Sequence, residues 1–238
     1  MTTKRLQAIV ESGGPFPDAR DWSYVNDVYD AAVARMDDVV MTFIEGVEEV
    51  FEDEPFLLIL TSDHGEEIND HGSFGHGQEL YEEVTRVPLI VRFPDRSRVG
   101  RSREPSSGLD LVPTILDFAG VEAPSDLSGF SLRDELPGGR LRISELKRET
   151  GPPRVALWQG ESKSILAGPR GDELFDLALD PDERNNLAKP HSAAIEAHRN
   201  RLREHRLQFF RVVRPREKHQ LSPPLLEELK ALGYVVDE

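Results

Sequence analysis

Phe56-Leu57-Leu58-Ile59-Leu60-Thr61-Ser62-Asp63-His64-Gly65-Glu66 is the stretch that decides how this chain is read. Its first half is a continuous apolar run, bounded by Pro55 and by the polar Ser62-Asp63-His64-Gly65. A run without polar alternation reads as a strand buried on both faces, as in a parallel sheet. In open α/β sheets, ligands bind beyond the carboxyl ends of the strands, so Asp63 and His64 emerge where chemistry is expected. A carboxylate and an imidazole, adjacent on a strand-end turn, can both ligate a divalent cation. On spacing alone a second reading stays open, in which Asp63 caps the turn and His64 packs over it.

Upstream, Val25, Tyr29, Ala32, Met36, Val39, Phe43, Val47 and Val50 recur at three- and four-residue steps. They form one apolar stripe over about seven helical turns. Ser23 is the candidate N-cap, and Gly13-Gly14-Pro15-Phe16-Pro17 before it marks a loop. A long helix feeding a buried strand is an α/β signature. Downstream, residues 66–80 read as loop. Val87–Phe93 is a second strand, with Pro88 at its start or on an edge. Residues 107–119 form a helix capped by Ser107 and stopped by Gly120.

The texture changes near residue 140. Short strand candidates follow at Leu141–Ser144, Val155–Gln159, Ser162–Ala167 and Glu173–Asp176, separated by turns. That spacing predicts an antiparallel meander. A helix is expected over residues 191–210, then a basic stretch at Arg211–Gln220 and a short helix at Pro224–Leu232. The expected architecture is therefore α/β: a partial, mostly parallel sheet flanked by helices over residues 1–140, then a small antiparallel α+β subdomain over 141–238. An isolated first part is expected to expose an apolar face and a sheet edge unless another chain covers them.

Composition narrows the function classes. The formal net charge is −15, which excludes a nucleic-acid binder, because such a face needs a basic patch. The sequence contains no cysteine, which removes disulfides, thiolate metal sites and cysteine nucleophiles within these residues. The acid excess is distributed along the chain and the bases are mostly arginine. Such a surface suits either strong salt or an ordinary acidic protein. No apolar run approaches the ~20 residues of a membrane span, and no apolar leader follows Met1, so a cytoplasmic location is expected. Trp22 and Trp158 read as core or interface aromatics.

A second dense cluster follows the first: Asp70-His71-Gly72-Ser73-Phe74-Gly75-His76-Gly77. With His64 this places three histidines within 13 residues, interleaved with glycines that let backbone approach a ligand. Together with Leu80-Tyr81-Glu82-Glu83 and Arg86-Val87-Pro88-Leu89-Ile90, these segments resemble the C-terminal metal motif of the sulfatase family, within the alkaline phosphatase superfamily. Asp110-Leu111-Val112-Pro113-Thr114-Ile115-Leu116-Asp117 is similar to the family's following helix, and Ser128-Gly129-Phe130-Ser131-Leu132 to its next loop. Glu173-Leu174-Phe175-Asp176-Leu177 with Asp180-Pro181-Asp182-Glu183-Arg184-Asn185-Asn186-Leu187 resembles its C-terminal signature. Leu221-Ser222-Pro223 and Leu229-Lys230-Ala231-Leu232-Gly233-Tyr234 resemble its tail. The resemblance runs over roughly residues 24–235, in the family's order.

The resemblance implies a site. Asp63 and His64 stand where the family binds one divalent metal, often calcium; histidine there would favour manganese or zinc. His76 stands where many sulfatases place a sulfate-contacting lysine. Lys163 is similar to a family lysine of the small domain, and His71 is a motif residue that supports the loop. The implied substrate is a sulfate ester. The family's nucleophile lies upstream, in a Cys/Ser-x-Pro-x-Arg segment, with two further acidic metal ligands. No such nucleophile is expected in this chain. Thr150-Gly151-Pro152-Pro153-Arg154 has a similar string but falls after the metal motif.

Three functions are consistent with these residues: a sulfuric-ester hydrolase, a phosphomonoester or phosphonate ester hydrolase or phosphoryl transferase of the same superfamily, and a non-catalytic split or decayed half. The partners implied are the ester and a separate N-terminal half or another subunit.

Overall fold

The computed structural model describes residues 19–52, 54–95, 98–147, 153–168 and 171–212. Most of the loop expected before residue 22, Thr150–Pro152, the basic stretch beyond residue 212, the helix at 224–232 and the tail motif lie outside the described residues. The chain divides into two units after Leu202, and everything that bears on the site belongs to the first.

The apolar stripe forms α1, Ala19–Phe51. Most of that stripe faces solvent: Met36, Phe43 and Val50 are 60%, 64% and 80% exposed. The ends of the helix are anchored. Trp22 packs against Phe74 with ring centroids 5.8 Å apart, and Phe51 against Phe56 at 5.3 Å. Glu48 is ion-paired to Arg92, whose guanidinium lies 4.8 Å from the Phe56 ring centre.

Strand β1 (Leu58–Thr61) and strand β4 (Leu89–Arg92) are the two strands expected in a parallel sheet. They pair with each other and antiparallel, in the register Leu58↔Arg92 to Thr61↔Leu89. The described residues contain antiparallel sheets only, and the expected parallel sheet is not found among them. The reason is physical: an uninterrupted apolar run reports that both faces suit burial, but carries no information on strand direction. Nor is β1 fully buried; its residues are half-buried and Thr61 is exposed.

Between these strands the loop expected over 66–80 carries a two-residue ladder, β2 (Glu67–Ile68) with β3 (Phe74–Gly75). A single helical turn, α2 (Glu82–Thr85), follows. Helix α3 (Leu111–Phe118) is introduced by a 3-10 turn at Gly108–Asp110, with Ser107 capping as expected. The fully buried Asp110 organises this corner. Its carboxylate accepts from the amides of Ser107 and Phe130 at 2.7 and 3.0 Å and from both arms of Arg140. Burial opposes its charge, but these donors outweigh that and hold its pKa below the ordinary carboxylate value.

The four strand candidates beyond residue 140 form the meander β5 (Leu141–Leu146), β6 (Arg154–Gln159), β7 (Ser162–Gly168) and β8 (Gly171–Asp176). Alternate residues point to opposite faces. Val155, Leu157, Leu166 and Leu174 meet Ile195 and Leu202 of helix α4 (Ser192–Val212). Ala156, Trp158, Ile165 and Phe175 meet Leu80 and Tyr81. The sheet is thus covered on both faces, and one cover is the chain that leaves the histidine-rich loop.

Candidate functional site

The site is built at the exit of β1. Ser62 Oγ donates to the carbonyl of His64 at 2.7 Å, and the His64 amide donates to Asp63 Oδ1 at 3.0 Å. The amides of Gly65 and Glu66 then donate to the carbonyls of Val84 and Glu83 at 2.8 and 3.1 Å. A Cβ on Gly65 would lie 1.9 Å from the Glu83 carbonyl oxygen, so only glycine lets these backbones meet. The β2–β3 register opposes Glu67 to Gly75. Continued by one residue, it returns His76 beside Glu66.

His64, Glu66 and His76 consequently meet. Each offers a ligand atom within 4.8 Å of the others. The two imidazole centroids are 4.1 Å apart, and His76 Nδ1 lies 3.2 Å from Glu66 Oε2. His64 Nδ1 lies 2.8 Å from the Gly65 carbonyl, which can only accept, so this nitrogen carries the proton. Nε2 is then the ring atom with a lone pair. The Asp63 carboxylate is 3.9 Å from that Nε2. Two imidazole nitrogens with carboxylate oxygens are a donor set that fits a borderline divalent cation. Glu66 is the residue the sequence reading missed. Its signal was available: in an extended exit from a strand, residues two apart share a side with His64.

The remaining expected residues have structural surroundings. His71 is clamped: Nδ1 is 2.6 Å from Glu83 Oε1, Nε2 is 3.2 Å from the Glu183 carbonyl, and the ring stacks on Tyr81 at 3.7 Å. Burial disfavours the imidazolium, but Glu83 and the Glu183 carbonyl more than compensate, raising its pKa. Burial likewise disfavours the Glu83 carboxylate, and His71 reverses this, lowering its pKa. Lys163 is fully buried under Trp158, with Nζ 2.8 Å from Glu183 Oε1 and 3.1 Å from Glu82 Oε1. This places its ammonium inside the sheet's core, where it ties α2 and residue 183 to β7.

Glu67, fully buried next to the cluster, has no hydrogen-bond partner for either carboxylate oxygen among the described residues. Burial, then Glu79 and Glu83, push its pKa up to about 7. Arg154, the last residue of the Thr150–Arg154 string, heads β6 and is buried against Glu79, 2.6 Å away. It therefore serves packing.

The sulfatase family model matches residues 3–121, half of the chain. An N-acetylglucosamine-6-O-sulfatase of Bacteroides thetaiotaomicron is 36% identical over 118 residues, which are 48% of this chain and 21% of that protein. The structure of a sulfatase-like protein from the same organism aligns at TM-score 0.56 and 26% identity, covering 66% of this chain and 38% of its own. A phosphonate monoester hydrolase of Agrobacterium radiobacter aligns at TM-score 0.68 and 24% identity, covering 83% and 45%, a likeness of fold. The chain spans between about a fifth and just over a third of the curated relatives it matches. With the matched model reaching across the His64–Glu66–His76 cluster and the fold shared with solved sulfatases, the chain belongs to the sulfatase family.

Proposed function

We propose that this chain supplies the metal-holding and anion-contacting side of a sulfuric-ester hydrolase site. The observation that carries the reading is the convergence of His64, Glu66 and His76 on the segment that the family model matches. Asp63, His64 and Glu66 hold one divalent ion. The His64 imidazole favours zinc or manganese over calcium, which prefers an all-oxygen set. When bound, the ion supplies Lewis-acid polarisation of an ester oxygen. His76, the most exposed of the three clustered side chains, contacts the sulfate. Its ring N–H would donate to a sulfate oxygen. His71 holds the loop, and Lys163 acts through Glu82 and Glu183 to fix the segment beneath it.

The nucleophile is not assigned to any residue of this chain. The exposed stripe of α1 is read as the seat of the rest of a sulfatase-type fold. The division near residue 140 and a cytoplasmic location remain part of this proposal; no helix among the described residues is long and apolar enough to cross a membrane. The acid excess is read as an adaptation to strong salt, and unfolding across a potassium chloride series should show stability still rising above physiological concentration.

Titration of the chain with inorganic sulfate and inorganic phosphate, with and without manganese or zinc, tests the main reading. Sulfate binding that requires the metal and is lost in His76→Ala is expected. Binding of phosphate alone would favour the phosphoester or phosphonate alternative, a weaker reading supported by the shared fold and the histidine donors. Rapid hydrolysis of an aryl sulfate by the chain alone would contradict the nucleophile assignment.

A further inference from the structure

The hairpin that carries two of the three clustered side chains is short. β2 and β3 pair through two residues each, Glu67↔Gly75 and Ile68↔Phe74, with Glu66 and His76 flanking that ladder. Its turn is closed by the Asn69 amide, which donates to the Ser73 carbonyl at 2.9 Å, and by the Ile68 amide, which donates to Asp70 Oδ2 at 3.1 Å. An isolated two-stranded ladder is marginal in water even when longer than this one. The register that returns His76 to Glu66 therefore needs support from outside the hairpin.

That support comes from the turn at residues 180–186. Arg184 donates to the Asp70 carbonyl, and the Glu183 carbonyl lies 3.2 Å from His71 Nε2, contacts that span 114 and 112 positions of sequence. The two grip adjacent residues at the tip of the hairpin. Arg184 also stands near enough to His71 to oppose its imidazolium, so it is not there as a countercharge; its engagement is with backbone. The buried Glu183 carboxylate accepts from the Glu82 amide at 2.6 Å. Glu183 thereby also holds α2, whose Glu83 and Val84 carbonyls take the amides of Glu66 and Gly65.

The turn is itself fixed. The Asp180 carboxylate accepts from the amides of Arg184 and Asn185 at 3.0 and 2.8 Å, and Asn186 Oδ1 accepts from the Leu174 amide of β8 at 3.2 Å. Glu183 has φ +53°, a left-handed conformation that favours glycine. A glycine would adopt it freely but could reach neither the Glu82 amide nor Lys163. Unfavourable backbone geometry at a residue with three partners marks a position kept for what it holds.

We infer that the turn at residues 180–186 is a clamp that pre-orders the metal-holding hairpin, with Glu183 and Arg184 as positioning residues for the centre formed by His64 and Glu66. The inference rests on the proposed metal site for its purpose, and on the hairpin contacts alone for its existence. Without the clamp, an incoming ion would have to order the hairpin as it bound, and its apparent affinity would fall by the fraction of time the hairpin is formed.

Arg184 is exposed, so its removal leaves no cavity. Manganese is titrated calorimetrically into the unmodified chain, Arg184→Ala, Arg184→Lys and, as a control, Arg199→Ala, whose arginine pairs with Asp172 of β8. Arg184→Ala should bind about tenfold more weakly, the scale of one charge-assisted hydrogen bond. Arg184→Lys should recover part of the loss, and Arg199→Ala should match the unmodified chain. Amide hydrogen exchange of the metal-free proteins gives a reading that needs no ion. Exchange at Asn69 should be about tenfold faster in Arg184→Ala, while the amides of β6 stay unchanged, because local opening of the hairpin leaves the sheet intact. Unaltered Asn69 exchange in Arg184→Ala overturns the clamp, as does faster exchange with undiminished manganese affinity. If the unmodified chain binds no manganese, the proposed metal site fails, and the exchange at Asn69 alone decides whether the turn holds the hairpin.

Discussion

The β5–β8 sheet and the α1–β1–β4 region differ in how they use apolar residues. In the sheet, both faces are covered within the chain, by α4 on one side and by Leu80 and Tyr81 on the other. In the other region, a helix with an equally regular apolar stripe leaves Met36, Phe43 and Val50 in solvent. The difference teaches that amphipathic periodicity specifies a helix, and only packing partners make it part of a core. It also places the candidate metal cluster at a boundary, on a loop whose exit is anchored in the well-packed half.

Substitutions can break this contrast in order of size. Lys163→Ala should be the most damaging, at about 3–5 kcal/mol, because it leaves Glu183 and Glu82 without their buried cation. Leu157→Ala, at the centre of the same sheet, should cost about 2–5 kcal/mol from lost burial and the cavity left behind. Both can be read from urea unfolding of the variants.

The His71–Glu83 pair sits between the two regions and gives a pH-dependent effect of about 1–3 kcal/mol. His71 is raised in the fold, so its contribution is complete below 6.5 and is lost as pH rises through its higher folded value. Glu83 is lowered, so its contribution is complete above 4.5 and is lost as pH falls through its lower folded value. The stability gap between the protein and His71→Gln should therefore peak between 4.5 and 6.5 and shrink on either side, as thermal unfolding across pH would reveal. The smallest effect belongs to the open region. Phe43→Ala should change the stability of the chain alone by no more than about 0.5 kcal/mol. A large loss there would mean that the stripe is covered in solution.

Much of the fold was legible because its signals are local. The stripe from Val25 to Val50 specified α1, Ser107 and Gly120 bounded the helix between them, and the turns beyond residue 140 spaced the meander strands. Strand direction was not legible, since β1 and β4 carry the same apolar pattern whichever way they pair. At the site, the motif located His64 and His76, but their meeting depends on the β2–β3 register and on the close approach of Gly65 to Glu83. These are long-range facts that no single residue announces. The burial of Lys163 was hidden for the same reason: its neighbours Glu82 and Glu183 are distant in sequence and become partners only when the loop covers the sheet.

Calorimetric titration of the chain with manganese or zinc, beside His64→Ala, Glu66→Gln and His76→Ala, is the most direct test of the metal centre. One divalent ion per chain should bind to the unmodified protein. Binding should be abolished by His64→Ala, weakened by about 10–100-fold in Glu66→Gln, and largely retained in His76→Ala, whose role is to meet the sulfate. No binding by the unmodified chain, or binding indifferent to His64 and Glu66, would contradict the assignment of this cluster as the metal-holding part of a sulfatase site.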